Sequence, residues 1–280
     1  MPEENKEHMS QPTPWSSSEA ARHWQQDAER RQHNFAVATR RMLETAELRP
    51  GQHVLDIGAG TGDQSILAAQ SVGPNGSVLA TDISSEMLNI AAQVVKREGL
   101  TTITTRVMDA QQLDLQDNSF DAVISRLALM LMPHRQQALR EIHRVLKPGG
   151  KLAALVWSAP EKNPLFSVPL AIGSTYARGE ASSRPDPFAL SDPGIFERDL
   201  AEAGFSDVAT YALPFQSQYS SLDAFLQSTG NRLTAGVMEQ LNQQEQQHLL
   251  EEVRQALSQF EGPQGFVAPA EMLLGVGSKG

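Results

Sequence analysis

Apolar positions along this chain follow two rhythms. Between residues 18 and 48 they recur every three or four places, with Trp24, Phe35, Met42 and Leu43 set among charges, and this spacing predicts a helix. Arg49-Pro50-Gly51 ends it. Short apolar runs then alternate with helical patterns. Strands are predicted at 53–57, 77–81, 102–107, 120–125 and 151–157, and helices at 63–71, from Ser84 or Ser85 to about Gly99, and at 135–146. Strands that alternate with helices imply right-handed crossovers and a parallel sheet covered on both faces. The nearly unbroken apolar runs at 54–57 and 122–124 suit that burial.

Past residue 158 the pattern changes. Five prolines (Pro160, Pro164, Pro169, Pro185 and Pro187) fall within 158–187, a density that predicts an irregular loop or lid. Beyond it the pattern predicts a helix at 192–203, a strand at 205–213, a long glutamine-rich helical region at 222–260 and a last strand at 266–275. Residues 1–17 are polar and proline-bearing and read as a disordered tail. The expected organisation is one domain over 18–280, with its core at 50–158 and lid or substrate segments at 18–48, 160–190 and 214–262.

Composition narrows the function. No cysteine occurs, so disulfides, thiolate metal sites and cysteine nucleophiles are excluded. None of the seven histidines has metal-ligand spacing, and no metal is expected. The net charge of −10, from 33 acids against 23 bases, argues against a nucleic-acid partner. No stretch approaches the ~20 apolar residues of a membrane span, and the acidic start does not resemble an export signal, so a cytoplasmic location is expected.

The densest chemistry lies in His53-Val54-Leu55-Asp56-Ile57-Gly58-Ala59-Gly60-Thr61-Gly62-Asp63. Glycines directly after a buried strand let the backbone turn sharply and come close to a ligand. The following helix start offers unpaired amides, and ligands of open parallel sheets bind at the carboxyl ends of strands. This is therefore a nucleotide-type loop. Asp63 stands where a dinucleotide fingerprint needs its third glycine, and no P-loop Gly-Lys-Ser/Thr is present. An acid at the strand end, Asp56, disfavours phosphates and suits a cation.

This loop resembles motif I of the class I S-adenosylmethionine-dependent methyltransferases. The resemblance continues through Leu79-Ala80-Thr81-Asp82-Ile83, Met108-Asp109-Ala110-Gln111, Phe120-Asp121-Ala122-Val123-Ile124-Ser125-Arg126 and Arg144-Val145-Leu146-Lys147-Pro148-Gly149-Gly150. Among them the chain is most similar to small-molecule enzymes of the ubiquinone/menaquinone-biosynthesis type. Ser125-Arg126 departs from the Asn-Val pair usual in the quinone enzymes, which puts a quinone acceptor in question. The resemblance implies an α/β, doubly wound Rossmann-like methyltransferase sheet, mostly parallel with the last strand antiparallel, with helical N-terminal and lid additions. It implies S-adenosyl-L-methionine as cofactor and S-adenosyl-L-homocysteine as product. The implied cofactor residues are Asp56, Gly58, Ala59, Gly60, Thr61, Gly62, Asp82, Ile83, Met87, Asp109, Ala110 and Arg126; Asp82 would hold the ribose hydroxyls and Asp109 the adenine.

The acceptor residues are expected to be Trp24, Leu127, Met130 and Trp157, with Trp15 and Trp24 as lid or as plain packing. His134, directly after the apolar run 127–132, is the candidate general base or a surface histidine. Arg126 would bind an acceptor carboxylate, steady the cofactor or pair with an acid. The expected activity is methyl transfer to a small, partly apolar metabolite at oxygen, nitrogen or carbon. The alternatives are a catalytically inactive S-adenosylmethionine-binding protein and a nucleic-acid or protein methyltransferase. Either a monomer or a homodimer is compatible with the sequence.

Overall fold

A computed structural model describes residues 18–178 and 185–280. The tail expected at 1–17, with Trp15, lies outside the described residues. The sheet has the order β3-β2-β1-β4-β5-β8-β6, made of β1 (His53–Ile57), β2 (Ser77–Asp82), β3 (Ile103–Val107), β4 (Phe120–Arg126), β5 (Leu146–Trp157), β6 (Ser206–Tyr219) and β8 (Gly265–Ser278), with the short β7 (Glu261–Gly262) paired to β8. The first five strands pair in parallel, while β8 runs antiparallel between β5 and β6. The expected doubly wound sheet with an antiparallel last strand is what the chain forms. Strand order reverses beside β1, between β2 and β4, which places the ligand crevice at the carboxyl end of β1.

Local signals set the helices. Ser84 accepts the Met87 amide at 3.2 Å and starts α4 (Ser85–Arg97). Asp192 caps α7 (Pro193–Glu202), with Pro193 at the first helical position, where its missing N–H is no loss. Asn242 and Glu245 form a reciprocal capping box at α10 (Gln243–Leu257). The helix α3 (Asp63–Val72) fills the β1–β2 crossover, and α5 (Arg135–Val145) precedes β5.

Three sequence expectations change or gain detail in the structure. The span 18–48 is two helices, α1 (Ser18–Gln26) and α2 (Ala28–Thr45), parted at Asp27. Part of the expected irregular lid is helix α6 (Pro164–Tyr176): Pro164 stands at its start, and Leu165, Pro169 and Gly173 form a buried face. Proline density there marked a helix start and not a loop. The helical region expected at 222–260 is helical in several pieces: α8 (Leu222–Phe225), a π turn at Leu226–Gly230, α9 (Asn231–Met238) and α10, with Asn242 restarting the last.

Burial divides the apolar residues into two clusters. The larger covers the sheet, from Val54 and Leu55 through Ile124 to Leu274. The smaller joins Leu165, Tyr219, Phe225, Leu249, Leu257 and Phe266, so helices α6, α8 and α10 and one end of the β6–β8 pair have a core of their own. Among the described residues no helix is long and apolar enough to cross a membrane.

Candidate functional site

The site begins where β1 ends. Gly58, Gly60 and Gly62 all have positive φ (67°, 56° and 87°), a region that L-residues enter at a cost. Space reinforces the choice. A methyl on Gly58 would come within 2.3 Å of the Ala128 Cβ, and one on Gly62 within 3.2 Å of the Ala91 Cβ. One on Gly60 would meet the Trp24 indole nitrogen at 3.2 Å. The loop is thus enclosed by the turn after β4, by α4 and by α1.

Its two strand-end acids behave differently. Asp56 is 0% exposed and accepts hydrogen bonds from the Gln64 amide at 3.0 Å and from the Ser65 hydroxyl. Burial raises its pKa to about 6 against those bonds. It faces the first turn of α3 under the loop and not the crevice the sequence suggested. Asp82, at the end of β2, accepts the Gly60 amide at 2.9 Å on one oxygen and the Ser84 amide at 2.9 Å on the other. Burial raises its pKa as well, with the Ser84, Gly60 and Ile83 amides opposing, and a carboxylate offers about four lone-pair sites. Asp82 therefore joins the glycine loop to the start of α4, with acceptor capacity to spare.

The remaining cofactor candidates surround this pair. Ala59 donates its amide to the Thr81 carbonyl at 2.9 Å. Ile83 is 37% exposed beside Asp82, whereas Met87 is buried behind it. Asp109 closes a turn on Gln111, whose amide and side chain bond both carboxylate oxygens, and Ala110 is buried in that turn. Gln111 also accepts the His134 amide at 2.8 Å.

Against the loop lies an ion cluster that sequence reasoning did not find. Asp63 accepts from Arg31 at 2.9 Å and from Arg126 at 3.4 Å, and Thr61 donates to its other oxygen at 3.1 Å. Arg126 also donates to Thr39 at 2.9 Å. Burial holds the Arg31 pKa down to about 10 and lowers that of Arg126, while Asp63 opposes both shifts. Of the roles open to Arg126, the structure displays pairing with an acid. A signal was present: Arg31, Phe35 and Thr39 at four-residue spacing share a buried stripe with Asn34, Ala38 and Met42, so a charge stood on an apolar face.

Acceptor candidates lie on both sides of Arg126. Leu127 turns at φ 59°, Met130 is buried, and Trp157 packs against Phe166 (4.4 Å), Phe35 (5.8 Å) and Phe215 (6.4 Å between ring centroids). The Arg126 guanidinium is 5.7 Å from the Phe35 ring. His134 stands apart: it is exposed and lines a separate groove of about 410 Å³ with Pro133, Arg135, Gln136, Gln137 and Arg140.

Comparison with known proteins agrees with this arrangement. Residues 54–150 match the methyltransferase-domain family. The ubiquinone/menaquinone biosynthesis C-methyltransferase UbiE of Cupriavidus metallidurans is 41% identical over 124 residues, 43% of this chain and 51% of that protein. The enzyme of the same name from Bordetella avium is 41% identical over 164 residues, 52% of this chain and 63% of that protein. The chain thus spans about half to two-thirds of the length of these relatives. Among solved structures, the YcgJ protein of Bacillus subtilis superposes with a TM-score of 0.60 at 21% identity, over 87% of this chain and 98% of that one. Phosphoethanolamine N-methyltransferase 2 of Haemonchus contortus does so with 0.60 at 19% identity, over 95% and 58%. At such identities the likeness concerns the fold. The glycine loop and the acid ending β2 thus lie within residues 54–150, the stretch that matches the methyltransferase-domain family, and there the chain resembles the ubiquinone/menaquinone-biosynthesis C-methyltransferases.

Proposed function

We propose that this chain transfers the methyl group of S-adenosylmethionine to a small, partly apolar metabolite. The observation that carries the reading is the Asp82 carboxylate, fixed by the Gly60 and Ser84 amides at the switch in strand order with acceptor capacity left for the ribose hydroxyls. The glycine loop suits the same ligand, because side chains at Gly58 and Gly60 would fill the space beside the backbone. When bound, S-adenosylmethionine supplies a methyl already activated by positive sulfur. The protein's own work is then placement, worth up to ~7–11 kcal/mol in favourable systems. Asp82 holds the nucleoside and the Gly58–Gly62 turn lies along it. The Asp63 cluster fixes the loop, Trp24 covers it and excludes water, and Trp157 with Phe35, Phe166 and Phe215 forms an apolar wall for the acceptor.

The relatives' names specify quinone substrates. Here the Ser125 hydroxyl is tied to the Ile57 carbonyl at 3.0 Å and Arg126 to Asp63 and Thr39, so neither position presents the quinone-type pair, and a different acceptor is favoured. Calorimetry with S-adenosylhomocysteine tests the reading: Asp82→Ala weakens binding at least about thirtyfold, as expected for loss of charge-assisted bonds. Unchanged affinity would remove the ribose assignment. A purified protein that binds the nucleoside yet methylates nothing in a cell extract would be the inactive binding protein instead.

A further inference from the structure

Four guanidinium groups gather between the glycine loop and α9, and among the described residues two carboxylates pair with them. Asp63 serves Arg31 and Arg126. Asp27, at the break between α1 and α2, serves Arg30 at 2.6 Å and Arg232 of α9 at 3.1 Å. Each guanidinium also lies near an aromatic ring: Arg30 is 4.2 Å from the Tyr219 centroid, Arg31 4.1 Å and Arg232 5.8 Å from Trp24, and Arg126 5.7 Å from Phe35. Rings and shared carboxylates hold the planar forks in fixed orientation, the preparation that suits bidentate capture of an oxyanion.

The charge is unbalanced in a place that is largely dry. Arg31 is 5% exposed and its Nε–H has no acceptor, an orphaned donor that normally costs stability. Burial and the neighbouring Arg30 both hold the Arg232 pKa below its ordinary value, with Asp27 opposing. A surplus of buried cations on a chain of net charge −10 calls for an anion from outside. The lower pair is closed by Asp63, Thr39 and Thr61. The upper pair is more open, with the Arg30 and Arg232 side chains 23% and 28% exposed.

We propose that the methyl acceptor is an anion whose carboxylate or phosphate docks between Arg30 and Arg232, on the lid side of Trp24. This rests on the methyltransferase reading and names the substrate class for it. Trp24 touches both groups: a methyl on Gly60 would meet its indole nitrogen at 3.2 Å, and its ring lies 4.1 Å from the Arg31 guanidinium and 5.8 Å from that of Arg232. The upper arginines thus select the acceptor and leave the nucleoside to Asp82.

The test uses the purified full chain, labelled S-adenosylmethionine and the small-molecule fraction of a cell extract split on an anion-exchange resin at neutral pH. Label should enter the salt eluate and not the flow-through; phosphatase treatment of the eluate beforehand tells a phosphate ester from a carboxylate. Arg232→Gln should raise the acceptor KM about tenfold or more and leave the S-adenosylhomocysteine Kd within about twofold, with Arg232→Lys intermediate. Thermal unfolding of both variants identifies loss of fold, and Arg232→Lys, which keeps the charge, carries the comparison if Arg232→Gln does not fold. Transfer confined to the flow-through, or an S-adenosylhomocysteine affinity that falls as far as the KM rises, overturns the proposal. No transfer into any fraction with nucleoside still bound sinks the methyltransferase reading itself, and the acceptor class with it.

Discussion

The floor and the lid of the site are built from different interactions. The floor, from β1 through the glycine loop to Asp82, is a backbone device: positive-φ glycines, amides donated to one carboxylate, and a parallel sheet that brings strand ends together. The lid is a side-chain device. Arginines on α2 and α9 meet acids on the break after α1 and on α3, across tens to hundreds of residues of sequence. A backbone device accepts any ligand of the right outline, so its chemistry is general. A device of charged side chains can be rearranged residue by residue, so it suits the acceptor selection we propose for it.

The strongest way to break this contrast is at Asp63, the one carboxylate belonging to both halves. Asp63→Asn removes the one carboxylate that Arg31 and Arg126 both bond, leaving only the more distant Asp27 and Asp56, and about 3–5 kcal/mol of stability should be lost in urea unfolding. A loss below about 1 kcal/mol would mean the two arginines are compensated elsewhere. Within the floor alone, Gly58→Ala combines a positive φ with a 2.3 Å approach to Ala128, and about 3 kcal/mol should go. Gly99→Ala is the control. It has the same φ of 67° but no atom within 4 Å, so about 1 kcal/mol is expected; equal losses would make backbone strain the whole effect.

Acid titration separates the two strand-end carboxylates. Burial lifts Asp56 to about 6 from the ordinary 3.8, so between those values the native protein binds more protons than the unfolded chain. Its contribution to stability is therefore present at low pH and declines as pH rises through about 6. Relative to Asp56→Asn, the wild type should lose about 3 kcal/mol between pH 4 and 7; parallel stability profiles would show that Asp56 does not titrate in that range. A smaller effect than that of Asp56 is expected at Thr39→Val. That change removes the hydroxyl partner of Arg126 and should cost about 1–2 kcal/mol in unfolding while sparing nucleoside affinity.

The same contrast explains what the amino-acid sequence revealed. Strand alternation, the glycine triplet and Asp82 were legible because each answers a local demand: burial on both faces, positive φ, an acceptor at a strand end. The position of Asp56 was legible but its direction was not, since Gln64 and Ser65 claim its carboxylate only once α3 is in place. Pro164 and Pro169 read as breakers, although one begins α6 and the other lies on its buried face. The charge pairs of the lid left one trace, Arg31 on the apolar stripe of α2; its partners Asp63 and Trp24 lie on other elements.

Trp24 gives the proposal an order of events to test. Its indole stands beside Gly60, and only three residues on, the Asp27 carboxylate between α1 and α2 holds Arg30 and Arg232. Kinetics should be sequential, with the nucleoside leading, and the indole's emission should record its arrival before any acceptor is added.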